Sequence, residues 1–253
     1  MRMTEAFQSP PEPGALVLAA GRGERMRPLT DVCPKPLLPV RGQPLMAWPL
    51  QALARSGVRE VVINTAWLGE AIEAHFGARI EVPGAGGLAL VYSHEGQDFG
   101  RALETAGGIL RALPRLPALF WVVAGDVFMP GFAFDPDEVK DFVHSDDDAR
   151  LWLVPNPPHN PGGDFGLSPQ GRVLDLARGD PGRIWTFSTV GLYRRRFFEH
   201  ADAPAPAGNP AGVAAPLAPL LRAAMQRGKV SGRVWPGDWT DVGTPERLAA
   251  LNA

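Results

Sequence analysis

The residues with the plainest chemistry lie in Leu18-Ala-Ala-Gly-Arg-Gly-Glu-Arg-Met-Arg-Pro-Leu-Thr30 and in Pro34-Lys-Pro36, which follows it. Leu18, Ala19 and Ala20 end an apolar run. Gly21 and Gly23 then let the backbone turn tightly and bring its N–H groups close to a phosphate oxygen. Arg25 and Lys35 add positive charge where a triphosphate would lie. A planar guanidinium suits two oxygens at once, whereas Lys35 is a compact point charge stiffened by a proline on each side. The string is neither of the common nucleotide loops. It lacks the Gly-x4-Gly-Lys-Ser/Thr of a P-loop, and Met26 stands where a dinucleotide fingerprint needs a third small residue. The bland alternative is a Gly-rich turn with solvated arginines; the length and order of the string, with Lys35 between two prolines, weigh against it. Pro28 and Thr30 read as loop scaffolding.

These groups need a frame. Ala15–Ala20, Val58–Asn64, Leu88–Tyr92 and Ala118–Ala124 are short apolar runs that read as strands. Between them, 44–56, 68–76 and 106–113 carry helical spacing, and Gly57 and Gly77 stop the first two. Continuous apolar strands alternating with helices predict an α/β fold, Rossmann-like, with a largely parallel central sheet and helices on both faces. Ligands of such sheets bind outside the carboxyl ends of the strands. The glycine loop and Asp126 both follow strands directly, so the sheet would bring them to one edge. A carboxylate at Asp126 suits a hard divalent ion that shares its shell with substrate phosphates; the competing reading is a turn or helix-capping aspartate. The second half is less regular. Strands are expected at 151–154, 183–193 and 229–234, helices at 216–228 and 245–251, a long loop at 155–163, and an exposed Pro/Ala-rich segment at 201–210.

The glycine string resembles the signature of the sugar-1-phosphate nucleotidyltransferases, and the resemblance runs from about Gly14 to the C-terminus. Within that family the chain is similar to the N-acetylmuramate-1-phosphate uridylyltransferases of bacterial cell-wall recycling. The match to them is carried by Ile63–Gly69, Glu104–Ile109, Gly125–Val127, Gly163–Phe165, Lys229–Gly232 and Trp239–Thr244. The resemblance implies the nucleotide-diphospho-sugar transferase type of fold. It also implies a Mg²⁺-dependent reaction of UTP with a sugar 1-phosphate, N-acetylmuramate 1-phosphate first among them, giving a UDP-sugar and pyrophosphate. Such chemistry attacks the α-phosphorus with a phosphate oxygen that is already ionised, so it needs positioning and charge stabilisation rather than a general base.

By resemblance Arg25 and Lys35 are the catalytic cations. Arg25 reaches the β- and γ-phosphates, and Lys35 lies between the α-phosphate and the sugar phosphate. Asp126 and Asp241 hold the metal. Leu18, Ala19, Ala20, Gly21 and Gly23 wrap the nucleotide, and Glu104 and Gly107 or its neighbours meet the uracil edge. That last segment reads equally as helix N-terminal chemistry with Thr105 as cap. Asn64 is placed on nucleotide or sugar, against a strand-end turn role. Asn156, Gly163, Asp164 and the strand Ser188–Gly191 are the sugar candidates. The muramate branch carries an asparagine two residues before the metal aspartate; here that position is Ala124. Two other readings compete: a mannose-1-phosphate guanylyltransferase-like enzyme using GTP, and a non-catalytic nucleotide-sugar-binding regulatory protein.

At 253 residues and 45% hydrophobic content the chain suits a single nucleotidyltransferase domain over 14–253, after a disordered extension over 1–13 that lacks the apolar core of a secretion signal. A net charge of −2 offers no attraction to nucleic acid or to an acidic membrane, and no apolar run approaches the ~18 residues of a membrane span. The one cysteine, Cys33, excludes an internal disulfide, and the five histidines have no ligand spacing. Asp146-Asp-Asp148 reads as a solvated acidic turn. A cytoplasmic monomer or small homo-oligomer is expected.

Overall fold

A computed structural model describes residues 12–200 and 202–253. The expected extension therefore lies outside the described residues, apart from Glu12 and Pro13. In chain order the strands are β1 Gly14–Ala19, β2 Pro39–Val40, β3 Gln43–Pro44, β4 Glu60–Thr65, β5 Arg79–Val82, β6 Gly86–His94, β7 Leu119–Ala124, β8 Val127–Phe128, β9 Ala149–Pro155, β10 Gly166–Leu167, β11 Val173–Leu174, β12 Trp185–Arg194, β13 Val230–Val234 and β14 Thr240–Asp241. The helices are α1 Leu29–Val32, α2 Ala47–Arg55, α3 Gly69–Phe76, α4 Glu95–Phe99, α5 Glu104–Ala112, α6 Pro136–His144, α7 Ala218–Gln226 and α8 Pro245–Asn252.

Eight strands form the central sheet in the order β13-β9-β12-β7-β1-β4-β6-β5. The ladders β7–β1, β1–β4, β4–β6 and β9–β13 are parallel. β12 runs antiparallel to both β7 and β9, and the edge strand β5 runs antiparallel to β6. Alternate residues of each strand face opposite sides, so the sheet builds two cores. Ala15, Val17, Val61, Ile63 and Val123 pack with Leu50 and Leu53 of α2, Ile72 of α3 and Phe142 of α6. Leu16, Val62, Phe120 and Val122 pack with Ile109 and Leu110 of α5 and Leu221 and Ala224 of α7. Helices thus cover both faces, which is why the strands are apolar without a break.

A third, smaller core lies at the strands' carboxyl edge. Met26, Leu38, Val40, Leu45, Phe128, Val242 and Leu248 pack together there. They join the glycine loop to the β8–β14 ladder and to α8, elements from the two ends of the chain. Met26 and Val242 are fully buried, and each such side chain contributes about 1.5–3 kcal/mol against leaving it in water.

Three readings change. Asp147 and Asp148 are buried: Asp147 pairs with Arg172, and Arg196 Nε donates to Asp148 Oδ1 at 2.6 Å. Only Asp146 is the exposed turn carboxylate, and it pairs with Lys229. In the Pro/Ala-rich segment, Ala205 and Asn209 are buried; Asn209 Nδ2 donates to Gly107 O and Val213 O, tying the segment to α5. Ala201 is outside the described residues. The helix α6 was not foreseen, although Asp135 caps it by accepting from Asp137 N at 2.8 Å and Pro136 occupies its first position.

Candidate active site

β1 ends between two neighbours that fix where the glycine loop begins. Ala19 N donates to Asn64 Oδ1 at 2.8 Å, and Gly125 N donates to Leu18 O at 2.8 Å. The loop is thereby fastened to β4 on one side and β7 on the other. Gly23 adopts the left-handed conformation (φ 67°), and a Cβ there would lie 3.0 Å from Thr30 Cγ2. Buried Thr30 donates its hydroxyl to Gly23 O at 2.8 Å and accepts from Trp67 Nε1 at 2.8 Å on its own carbonyl. The Arg22 guanidinium stacks 3.6 Å from the Trp67 ring centre, so Arg22 belongs to the scaffold and Arg25 is the loop's arginine at the cavity. Gly21 plays a different part from the one expected. Its φ is not left-handed, and open space lies where a Cβ would stand; its smallness leaves the backbone accessible rather than making the turn.

Leu18, Ala19, Gly21, Gly23, Arg25, Lys35, Asp126 and Gly243 line one cavity of about 340 Å³. Lys35 is buried, and its Nζ donates to Asp126 Oδ2 at 2.6 Å. Asp241 is delivered by the short β8–β14 ladder, in which it faces Val127 while Val242 N donates to Asp126 O at 3.0 Å. Asp126 thus lies in the turn just before β8 and Asp241 on β14; of the two only Asp126 lines the cavity, and Asp241 approaches it at Gly243. Arg247 donates to Asp241, and His159 Nε2 lies 2.9 Å from Asp241 Oδ1. A Cβ built on Gly243 would lie 3.2 Å from Arg25 Nη2 and 3.2 Å from Asp241 Oδ2, which places the arginine and the second aspartate around one glycine. Among the described residues no three His, Cys, Asp or Glu side chains converge into an all-protein metal cage. Two carboxylates beside a cationic phosphate pocket nevertheless fit Mg²⁺, which keeps water and substrate phosphates in its shell. Sequence reasoning missed Arg247 and His159, because neither stands in a motif and both reach Asp241 only through the fold.

A larger cavity of about 630 Å³ opens beside the first, and Leu18, Gly21 and Asp126 line both. On the β4 side its wall includes Ala20, Asn64, Glu104 and Thr105. Asn64 is buried, with its oxygen accepting from Ala19 N and its nitrogen donating to Glu95 Oε1 at 2.7 Å. The amide therefore fastens the loop while Asn64 also forms part of the cavity wall. Gly107 itself does not line the cavity. Its N–H and that of Ala106 donate to Ala215 O at 3.1 and 2.9 Å, and its carbonyl accepts from Asn209. Gly107 is buried against the chain at 213–215, and Glu104 and Thr105 are what that segment shows to the cavity. Glu104 is itself held in the left-handed region (φ 58°). The fully buried Glu95 links the two loops: Oε1 accepts from Asn64, and Oε2 accepts from Leu103 N at 2.7 Å.

On the β12 side the wall includes Ala124, Asp164, Phe165, Arg183, Phe187 and Thr189. Of the sugar candidates, Asp164 and Thr189 of the Ser188–Gly191 strand line the cavity. The Asp164 carboxylate accepts from Phe187 N at 2.9 Å and Asn160 Nδ2 at 3.2 Å. Asn156 donates to Arg183 O at 3.1 Å and accepts from Thr186 Oγ1 at 3.0 Å, and Gly163 packs against Asn156 and the Arg183 carbonyl. Both stand behind the wall and shape it, because the loop needs its own hydrogen bonds satisfied before it can present a ligand group.

Burial pushes the Glu95 carboxyl above its ordinary value, although the hydrogen bonds from Leu103 N–H and Asn64 pull the other way. With the folded value raised, the native state holds its proton more firmly than the unfolded chain does. This contribution to stability is complete below the ordinary carboxylate range and is lost as pH rises through the raised value. Glu95→Gln cannot titrate, so the thermal-midpoint gap between wild type and variant should be largest near pH 4 and narrow towards neutral pH. A gap independent of pH would contradict the assignment.

The nucleotidyl transferase family profile matches residues 14–177. The chain is 46% identical to the N-acetylmuramate alpha-1-phosphate uridylyltransferase of Neisseria meningitidis, over 94% of this chain and 96% of that protein. It is 32% identical to the enzyme of the same name from Caulobacter vibrioides, over 94% and 95% of the two chains. In structure it is similar to a Bacillus anthracis crystal structure described as a glucose-1-phosphate thymidylyltransferase, with a TM-score of 0.75, 20% identity, and 94% and 93% of the two chains covered; at that identity the likeness concerns the fold. With this sheet, this glycine loop and these matches over most of its length, the chain belongs to the sugar-1-phosphate nucleotidyltransferase family.

Proposed function

We propose that this protein transfers the uridylyl group of UTP to N-acetylmuramate 1-phosphate, releasing pyrophosphate, in the cytoplasm. The observation that carries the reading is the meeting of two cavities at Asp126, Gly21 and Leu18. The smaller one, with Arg25, Lys35 and an exposed glycine backbone, suits the triphosphate tail. The larger one offers separate walls for the base, at Glu104 and Thr105, and for the sugar, at Asp164 and Phe187. Similarity along nearly the whole length of two enzymes named for this acceptor supports the muramate assignment, with Ala124 in place of the branch asparagine.

A phosphate oxygen of the acceptor attacks the α-phosphorus; the new P–O bond forms as the bond to the β-phosphate bridging oxygen breaks, and pyrophosphate leaves with that electron pair. Lys35, which lines the smaller cavity and pairs with Asp126 where the two cavities meet, would offset the repulsion between acceptor phosphate and α-phosphate. Arg25 takes charge developing on the leaving group. Asp126 and Asp241 would hold Mg²⁺, which supplies further neutralisation of the phosphates when bound. Because the attacking oxygen is already anionic, no side chain has to accept a proton. Gly21 lets the backbone come close, and Asn64 and Glu95 keep the base and phosphate loops in register. Alignment and fixed charge carry the rate.

Three outcomes check this reading. UTP with Mg²⁺ at ~100 times its Kd should stabilise the protein by roughly 2.7 kcal/mol and raise its thermal midpoint, whereas GTP at the same concentration should do much less; the reverse order would favour the guanylyl reading. Lys35→Ala should lower kcat/KM by about a hundredfold or more while the protein stays folded, and an active, folded variant would remove Lys35 from the mechanism. Gly243→Ala presses a methyl group on Arg247, Arg25 and Asp241, whose flexible ends can yield. Turnover should therefore drop about tenfold with a midpoint change within ~4 °C; unchanged turnover would mean that the Arg25–Asp241 arrangement is dispensable.

A further inference from the structure

The larger cavity contains polar atoms with no partner. Among the described residues four buried side-chain N or O atoms lack a hydrogen bond: Trp121 Nε1, Arg183 Nε, Thr189 Oγ1 and Tyr193 Oη. Trp121 lies in the core beneath the sheet. The other three residues all line this cavity. Tyr193 is fully buried, and Thr189 sits at the β12 irregularity in the left-handed conformation (φ 68°), strained for a β-branched residue. Buried polar atoms without partners cost stability, so their gathering in one cavity marks a place where a ligand would satisfy them.

Arg183 is the charged member of the three. Its backbone is held from several sides: Arg183 N donates to Asp180 O at 3.0 Å, and Asn156 Nδ2 donates to Arg183 O at 3.1 Å. Its guanidinium makes no ion pair among the described residues. The carboxylate on the same wall, Asp164, is taken up by Asn160 and Phe187 N. Arg222 lines the cavity too and keeps its Nε 3.2 Å from Asp175. Phe165, Phe187 and Leu221 supply apolar surface between these groups. A neutral hexose gains little from an anchored, unpaired guanidinium beside aromatic rings. A substituent that carries both a methyl group and a carboxylate fits it well, because the carboxylate takes the planar fork and the methyl group takes the apolar wall.

We propose that Arg183 determines acceptor specificity by binding a carboxylate on the ring substituent of the sugar 1-phosphate. The inference rests on the muramate reading above, since the lactyl ether of N-acetylmuramate is such a substituent, and it identifies the residue that reads that group. N-acetylglucosamine 1-phosphate is the matched probe, because it has the same ring, acetamido group and phosphate and lacks only the lactyl ether.

The test measures kcat and KM for both acceptors with wild type, Arg183→Gln and Arg183→Lys, and measures binding of UDP-N-acetylmuramate and UDP-N-acetylglucosamine by calorimetry in case the second acceptor turns over too slowly. In Arg183→Gln the preference for the muramate ligand should fall by about 10- to 100-fold, the range for losing a charge-assisted hydrogen bond. The loss should appear mainly in KM, and Arg183→Lys should recover part of it. A preference unchanged in Arg183→Gln would overturn the proposal, whether both ligands weaken together, as they would if Arg183 met the sugar's own phosphate or merely held the loop, or neither does. A wild-type protein that turns over UTP with neutral sugar phosphates and ignores N-acetylmuramate 1-phosphate would instead overturn the muramate reading, and this inference with it.

Discussion

The constraint behind this structure is electrostatic: a site that joins two phosphate-bearing molecules must hold fixed positive charge without letting it collapse onto the protein's own carboxylates in the wrong place. Lys35 and Asp126 show how that is arranged. The lysine is buried and its charge rests on the aspartate at 2.6 Å, so neither group is left unpaired in a partly dry cavity. Arg247 does the same for Asp241. Each carboxylate thus holds a cation in the protein alone, and Lys35 lines the smaller cavity, where phosphate oxygens could take it over. Arg25, by contrast, makes no ion pair among the described residues.

The scaffold that keeps these charges in place comes from distant parts of the chain. The glycine loop is fastened through Asn64 and Gly125, and underneath it the small core of Met26, Phe128, Val242 and Leu248 clamps the β8–β14 ladder. That ladder has two residues on each side, yet it sets Asp241 beside Asp126. A sheet of parallel strands opens its carboxyl ends to ligand, and here β12, running against its neighbours, extends the edge with Phe187 and Thr189, and Arg183 lies just before it. The wall with Glu104 and Thr105 and the wall with Asp164 and Phe187 therefore belong to opposite sides of β1 and β7.

Much of this was legible from residue order. The apolar runs 15–20, 58–64 and 118–124 became β1, β4 and β7 because strands covered on both faces are apolar throughout, and Lys35 and Arg25 stood in a string long enough to mean something. What escaped notice was what has no local signature. A two-residue ladder shows no periodicity. Asp147 and Asp148 looked solvated because their partners, Arg172 and Arg196, lie far along the chain. Gly107 looked available for a base because glycine suggests an open backbone, whereas here it makes room for the chain at 213–215. Arg183 carried no signal at all: its meaning comes from lacking a partner, which only the fold reveals.

The most direct measurement incubates the purified protein with UTP labelled at the α-phosphate, Mg²⁺ and N-acetylmuramate 1-phosphate, and separates the products. The label should pass into UDP-N-acetylmuramate with one pyrophosphate released for each nucleotide sugar formed. Label recovered only as UTP, or only as UMP from hydrolysis, would contradict the central claim that the two cavities meet at Asp126 to join these two phosphates.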